Sequence, residues 1–223
     1  TGGRKELSYE DHNNNVVELI SFDRDSTELI VESQGEVSLE ETHGIVGRHR
    51  GPVPLWLFQR TTPRTKAGAG CRKLIRDLPD ASNGVEHLHA LSRLVRDQVT
   101  YKVGASEADW TAEEALASGQ GVCQDHAHVF VACARELGYP ARYVSGYLML
   151  NDRVEQEAAH AWAEVHVNDL GWVGFDVSNG ISPDNRYVRV ATGLDYSEAA
   201  PVTGTRVGGD GEDLTVELEV AQQ

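Results

Sequence analysis

The chain has 223 residues, of which 40% are hydrophobic and 25% are charged, a composition ordinary for a globular protein long enough to bury a core. Its formal net charge is −15, with 35 acidic residues against 20 lysines and arginines. That balance argues against binding to nucleic-acid phosphates or to anionic membrane surfaces, and no apolar run is long enough to span a membrane.

The first 62 residues are predicted to form a β-rich region followed by a linker. In residues 7–40, the apolar alternations NNVVELISF and STELIVES are separated by DRDS, a composition typical of turns. From Gly44 to Gly70 the pattern gives way to prolines and glycines, which suit a connection between two regions. We therefore divide the chain at 62/63, into a small region 1–62 and a larger region 63–223.

Three helices are predicted next. Apolar residues recur at helical spacing within residues 84–104. Thr111 and Glu114 fit a capping box for a short helix that ends near Gly119. The third helix begins near Cys123, carries an apolar stripe that includes His126, and is stopped by the glycine and proline after Leu137.

After the third helix the hydrophobic period changes from helical to alternating. ARYVSGYLML, HAWAEVHV and GWVGFDVS are predicted to be strands, and DLTVELEV near the C-terminus is a further one. Helices followed by antiparallel strands predict an α+β fold.

Cys123 lies at the predicted start of a helix, after Gly119 and Gly121. Unpaired backbone N–H groups and the helix dipole there favour a thiolate, and the same N–H groups could stabilise an oxyanion. A lone cysteine is more often a small core residue, so the rest of the chain must decide. The three cysteines, Cys71, Cys123 and Cys133, form no CxxC pair, which favours a reducing compartment, the cytoplasm.

A base for this thiol is predicted in the stretch HAWAEVHVNDLGWVGFDVS. Two strands joined at NDLG would form a hairpin in which a register pairing residues of equal parity aims His160 and Asp176 the same way. An odd register would need a bulge, and the pattern does not choose between the two. An imidazole held by a carboxylate is the base that a cysteine nucleophile needs.

Two stretches, GQGVCQDHAHVFVACARELGYPARYVSGYL and AAHAWAEVHVNDLGWVGFDVSNG, are similar to the core of the bacterial transglutaminase-like family. The resemblance implies a papain-like fold, in which the cysteine-bearing helix packs on an antiparallel sheet. It makes Cys123 the nucleophile, His160 the general base and acid, and Asp176 the residue that orients His160. It also makes 63–223 the catalytic core and 1–62 a shortened form of the family's N-terminal region, with its first strands missing.

The chain departs from the family pattern at two places. The family usually has Asp-Pro-Thr where this chain has Val177 and Ser178 after Asp176. Members commonly read Gly-Arg-Asp-Tyr where this chain has Leu194 in place of the arginine. The first change frees the turn after Asp176, and the second puts one ion pair or substrate contact in doubt.

Other polar residues of the matched motifs receive secondary roles. Gln120 could donate to an oxyanion through its amide, and Trp162 could line an acyl-binding tunnel, although a buried tryptophan is commonly a core residue. Asp125 is expected to support the first turn of the helix. His128 is expected to point away from the thiol, because it lies five positions from Cys123.

The residues support acyl transfer on a carboxamide or peptide bond through a thioester. Water as the acceptor gives an amidase or protease, and an amine gives a transglutaminase; we expect hydrolysis, because no acceptor-binding motif is evident. The expected partner is a protein or peptide substrate with a glutamine or other amide group, and no metal or organic cofactor is required. The oligomeric state is left open.

The same residues have two other functional interpretations, a protein-binding module and a zinc-binding domain. A catalytically inactive protein-binding module would normally lack a triad residue, and all three are present. A zinc-binding domain would use Cys123 and His126, which share a helix face. However, no HExxH or paired CxxC motif exists and a third ligand would have to come from far away.

Overall fold

The computed structural model describes residues 3–23, 26–81, 83–150, 159–204 and 215–221, and the backbone of residues 155–156. The strands in chain order are β1 (Gly3–Glu10), β2 (Val16–Phe22), β3 (Ile45–Gly47), β4 (Thr100–Tyr101), β5 (Gln120–Gly121), β6 (Ala141–Leu148), β7 (Glu155–Gln156), β8 (His160–Val167), β9 (Gly171–Phe175), β10 (Tyr187–Gly193) and β11 (Leu218–Glu219). The α-helices are α1 (Ala69–Arg76), α2 (Gly84–Gln98), α3 (Ala112–Ser118), α4 (Cys123–Glu136) and α5 (Tyr196–Ala199), and a 3-10 helix spans Leu55–Gln59.

The N-terminal residues form less strand than the sequence pattern predicts. β1 and β2 pair antiparallel as a hairpin. The second predicted strand, STELIVES at residues 26–33, has no regular secondary structure, and Leu29, Ile30 and Val31 are exposed. Alternating side chains are not sufficient for a strand, because its N–H and C=O groups also need a partner strand.

A five-stranded sheet forms the centre of the molecule, with the order β10-β6-β8-β9-β3 and antiparallel pairing throughout. The predicted α+β fold is therefore confirmed. β3 comes from the region 1–62 and pairs with β9, so that region supplies an edge strand to the main sheet. The division of the chain at 62/63 stays a prediction.

Helix α4 covers one face of this sheet. Tyr143, Ala163 and Phe175 pair across β6, β8 and β9, and all three are almost completely buried. Phe130 of α4 packs on Phe175 with ring centroids 5.2 Å apart. Because α1, α2 and α3 surround α4, eleven residues of α4 are buried on all sides.

The capping box predicted for α3 is present. The Thr111 hydroxyl accepts from the N–H of Glu114 at 3.2 Å, and the Glu114 carboxylate accepts from the N–H of Thr111 at 2.8 Å. Glu113 of the same helix caps α1, accepting from the N–H groups of Gly68 and Cys71, both at 2.9 Å. α1, β10 and α5 were not assigned from the sequence. None of the helices in the described ranges has the length and apolar character needed to cross a bilayer.

Candidate active site

Cys123 is the first residue of α4 and is partly exposed. The turn before it is held by Asp125, whose Oδ2 accepts from the N–H of Val122 at 2.8 Å and from the hydroxyl of Ser106 at 2.6 Å. Gly121 is required for this arrangement, because a Cβ there would lie 2.8 Å from the Cβ of Asp125. Because Cys123 is the first residue of the helix, its N–H has no acceptor within the helix.

The hairpin of β8 and β9 has the equal-parity register that the sequence left open. Glu164 pairs with Gly174 and His166 with Trp172, with no bulge between them. This register places His160, the first residue of β8, beside Asp176, which follows β9. The Nε2 atom of His160 lies 2.7 Å from Oδ2 of Asp176. The structure thus brings the predicted base and its carboxylate together.

The His160 imidazole joins Asp176 to Cys123. Its Nε2 is occupied by Asp176, and the Cys123 thiol lies near enough to influence the titration of the ring. Burial acts to lower the pKa of His160, but its interactions with Asp176 and Cys123, together with the charges of both groups, raise it to about 10. At neutral pH the ring is therefore an imidazolium close to the sulfur.

Two further residues hold the Asp176 carboxylate. Asn179 donates from its amide to Oδ2 at 2.7 Å and from its backbone to Oδ1 at 3.1 Å, and Tyr187 donates its hydroxyl to Oδ2 at 2.6 Å. Sequence reasoning missed both. Asn179 could have been found, because an aspartate followed three residues later by Asn-Gly is typical of a turn. Tyr187 carries no local signal, because it reaches Asp176 only through the strand order of the sheet.

His126 ties α4 to the turn after Asp176. Its Nε2 donates to the carbonyl of Val99 at 2.7 Å, and its Nδ1 accepts from the Ser178 hydroxyl at 2.8 Å. Burial lowers its pKa, so the ring is neutral. With both nitrogens occupied, His126 is not available as a zinc ligand together with Cys123.

The two tentative substrate residues lie in different surroundings. Gln120 is in β5, beside Thr100 of β4, and its side chain is partly exposed three residues before the thiol. Trp162 is only 2% exposed, and its ring centroid lies 6.3 Å from that of His160 and 5.5 Å from that of Tyr187. Trp162 therefore packs beside the histidine. The oxyanion role of Gln120 and the tunnel role of Trp162 stay predictions.

Two tyrosines lie close enough to Cys123 for the charge of its sulfur to influence their pKa values. Tyr143 is completely buried, and burial followed by the charge of Cys123 raises its pKa well above the ordinary value. Burial, Cys123 and Asp176 also raise the pKa of Tyr101, whose side chain is nevertheless 51% exposed. Tyr143 is thus a buried neighbour of the thiol, in the apolar cluster against which Cys123 packs, whereas Tyr101 is half-exposed.

His128 packs on Tyr143, with ring centroids 5.1 Å apart. It is completely buried, its Nε2 accepts from the backbone N–H of Tyr196 at 3.2 Å, and burial lowers its pKa to about 3. His128 therefore fixes the start of α5 as a neutral ring.

The two departures from the family pattern are apolar packing positions. Leu194 is 6% exposed and belongs to a cluster with Phe58 and Trp172. Val177 is 2% exposed and packs in the main core. At residue 194 the side chain thus packs against aromatic rings.

The other two thiols have no path to solvent. Cys71 and Cys133 are completely buried, and the Cys133 thiol points at the carbonyl oxygen of Cys71 at 3.8 Å. Contact with Cys133, followed by burial, raises the pKa of Cys71 far above its ordinary value. Both side chains therefore pack in the core, and Cys71 does so as a neutral thiol.

Comparison with known proteins gives one family and one shared fold. Residues 72–177, which include all three residues of the proposed triad, match the transglutaminase-like superfamily. A presumed cysteine protease from Cytophaga hutchinsonii superposes with a TM-score of 0.59 at 23% identity, over 76% of this chain and 57% of that one. This likeness shows the fold.

Uncharacterized mycobacterial proteins share part of the sequence. One from Mycobacterium leprae is 32% identical over 138 residues, which are 60% of this chain and 49% of that protein. One from Mycobacterium tuberculosis is 36% identical over 130 residues, which are 54% of this chain and 41% of that protein. The chain spans about half the length, or less, of these curated relatives.

Proposed function

We propose that this chain, whose residues 72–177 form a core of the transglutaminase-like superfamily, cleaves carboxamide or peptide bonds through a thioester on Cys123. The superfamily and the papain-like fold support cysteine-type catalysis in general. The particular bond, the acceptor and the substrate are our proposal.

One observation carries the proposal. His160 contacts the Asp176 carboxylate through Nε2 at 2.7 Å, and the same ring lies near enough to Cys123 for the thiol to raise its pKa. A merely structural histidine would not need a partly exposed thiol on one side and a buried carboxylate on the other.

The residues act in two steps. The Cys123 thiolate attacks the carbonyl carbon, and the N–H of Cys123 at the helix end stabilises the oxyanion. As the C–N bond breaks, the His160 imidazolium gives its proton to the leaving amine, and a thioester remains on the sulfur. In the second step His160 takes a proton from water, the water oxygen attacks the thioester, and the thiolate leaves as the acid forms.

We favour water as the acceptor. Cys123 is itself partly exposed, so water can reach a thioester on its sulfur. Transfer to an amine requires a cleft that excludes water better than it excludes the amine. The proposed substrate is a protein or peptide that presents a glutamine side chain or another amide.

A mass measurement tests the proposal and separates the acceptors. A glutaminyl peptide is incubated with the protein, with and without a small primary amine, and the products are weighed. Conversion of the amide to an acid means hydrolysis, incorporation of the amine means transfer, and cleavage of the peptide means a protease. The matched variants are Cys123→Ser and Cys133→Ser, because they make the same atomic change at a partly exposed and a buried thiol.

We expect the acid product with Cys133→Ser and none with Cys123→Ser. Formation of the same product by Cys123→Ser, or absence of any product over a panel of amide peptides with the unaltered protein, would contradict the proposal. The cytoplasmic location expected from the cysteines stays a prediction, as does the protein or peptide partner.

A further inference from the structure

A pocket lined by arginines lies away from the cysteine, on the face of the sheet opposite α4. Its volume is about 330 Å³, which is the lower end of the size of small-ligand sites. Val46 and the backbone around Thr192 complete the walls. The lining side chains include Asn13, Arg48, Arg50, Arg142, Trp172 and Arg189.

The guanidinium groups of the pocket outnumber the carboxylates near them. Arg142 donates from Nε to the completely buried Glu164 at 2.7 Å, and Arg189 lies 3.0 Å from the other oxygen of the same carboxylate. Arg48 and Arg50 form no ion pair with any residue that the structure describes. Four arginines thus share one carboxylate in a chain whose net charge is −15. Their mutual repulsion would be relieved by a bound anion.

The floor of the pocket is rigid. Arg142 is 6% exposed, and its guanidinium carbon lies 4.0 Å from the centroid of the Trp172 ring. A register shift between Arg189 and Ala191 interrupts the pairing of β10 with β6 at this point, and such bulges re-aim side chains. The Asn13 side chain is 8% exposed, and its amide oxygen is buried without a hydrogen-bond partner among the described residues.

We infer that this pocket binds a small oxyanion, a carboxylate or a phosphate, between Arg48, Arg50 and Arg189. Arginine suits such ligands because its N–H groups pair with two oxygens at once. Arg142 and Glu164 hold the floor, and the buried amide oxygen of Asn13 could accept from a hydroxyl of the ligand.

The site is separate from the proposed catalytic residues. Arg142 lies four positions along β6 from Gly146, the partner of His160, which is roughly 13 Å along an extended strand. The inference therefore does not depend on the proposed function, and its test needs no turnover. A free small molecule and an acidic side chain of a polypeptide both supply such an anion, and the arms of the test separate the two sources.

Thermal unfolding of the full chain is measured at constant ionic strength with sodium phosphate, sodium citrate, a tetraglutamate peptide or sodium chloride. The variant is Arg48→Gln with Arg50→Gln. The matched control is Arg76→Gln with Arg93→Gln, which removes the same charge from exposed positions on α1 and α2.

We expect a saturable rise in Tm of roughly 5 °C or more at a hundredfold excess of the preferred anion over its Kd. The rise should be lost in the pocket variant and kept in the control. A rise in Tm with tetraglutamate alone identifies a polypeptide as the source of the anion. A rise in Tm with phosphate or citrate identifies a small molecule. Equal shifts in Tm for the pocket variant and the control variant would overturn the inference. So would the absence of a saturable shift for the unaltered protein with phosphate, citrate and tetraglutamate.

Discussion

The hydroxyl of Tyr187 donates to Oδ2 of Asp176 at 2.6 Å, and this oxygen also contacts Nε2 of His160 at 2.7 Å. Burial acts to raise the pKa of Asp176, but hydrogen bonds with His160, Tyr187 and Asn179 outweigh it and lower the pKa. The carboxylate is therefore held in one orientation as well as kept ionised. Tyr187 acts on His160 only through Asp176, as a positioning residue.

Tyr187→Phe should lower kcat/KM for the amide peptide about 10-fold. Loss of a donor raises the pKa of Asp176, so the acid limb of the pH–rate profile should move to higher pH. Tyr147→Phe is the matched control, because Tyr147 is on the neighbouring strand β6 and makes no hydrogen bond to Asp176. A profile of Tyr187→Phe that superposes on that of the control would show that Tyr187 has no positioning role.

Asp176→Asn keeps the shape of the side chain and removes its charge. The pKa of His160, raised to about 10 in the folded protein, should fall towards its ordinary value of 6.5. Turnover should fall by ~10²–10⁴-fold, because an uncharged partner neither stabilises the imidazolium nor fixes the tautomer. NMR titration of the ring nitrogens measures the pKa, with His128 as an internal reference that stays neutral at a pKa of about 3. An unchanged titration of His160 would mean that Asp176 does not set its charge.

The raised pKa of His160 also predicts how stability depends on pH. A group whose pKa is higher in the folded than in the unfolded state stabilises the protein fully below its unfolded value. Here the contribution should be complete below about pH 6.5 and be lost as the pH rises through about 10. Urea unfolding should show a free-energy difference between the unaltered protein and His160→Gln that shrinks over this range. His87→Gln on α2 is the control, and a difference that grew with pH would contradict the assignment.

The three thiols should differ in reactivity. Cys123 is partly exposed beside an imidazolium, whereas Cys71 and Cys133 are completely buried. Iodoacetamide should therefore modify Cys123 well below pH 8, at least ~100-fold faster than the other two. Peptide mapping identifies the modified residue, and His160→Gln should slow the labelling of Cys123 alone. Equal, slow labelling of all three cysteines would argue against an activated nucleophile.

Local features of the fold could be predicted from the sequence, because they depend on residues close together in the chain. The capping box of Thr111 and Glu114 and the start of α4 at Cys123 are of this kind, and both are present. The resemblance to the transglutaminase-like family supplied Cys123, His160 and Asp176 as a set. The structure places His160 in contact with Asp176 and near Cys123, while the catalytic roles of the three stay predictions.

Other features depend on which strands become neighbours. Tyr187 reaches Asp176 because β10 pairs with β6 at the edge of the sheet, and no spacing in the sequence specifies that order. The stretch STELIVES shows the converse case: its alternation is typical of a strand, but the stretch has no regular secondary structure. The arginine pocket likewise joins five stretches of chain, around residues 13–15, 46–50, 142, 172 and 189–192.

Arg135 holds together four segments that local patterns do not connect. It is 5% exposed and donates to the carbonyls of Phe58 at 3.0 Å, Ala141 at 2.8 Å and Leu194 at 2.8 Å, and to the hydroxyl of Thr65 at 2.7 Å. Without the guanidinium these buried oxygens would lose their donor, which is more costly than the loss of an exposed contact.

Arg135→Met should therefore lower the free energy of unfolding by roughly 3–5 kcal/mol. Arg135→Lys should lower it less, because an ammonium group keeps three donors but cannot span all four acceptors. Urea unfolding followed by circular dichroism measures both, with the exposed Arg93→Met as the control for loss of a charge from a helix. If Arg135→Met were no less stable than Arg93→Met, the four segments would be held by apolar packing alone, and the buried guanidinium would have no structural role.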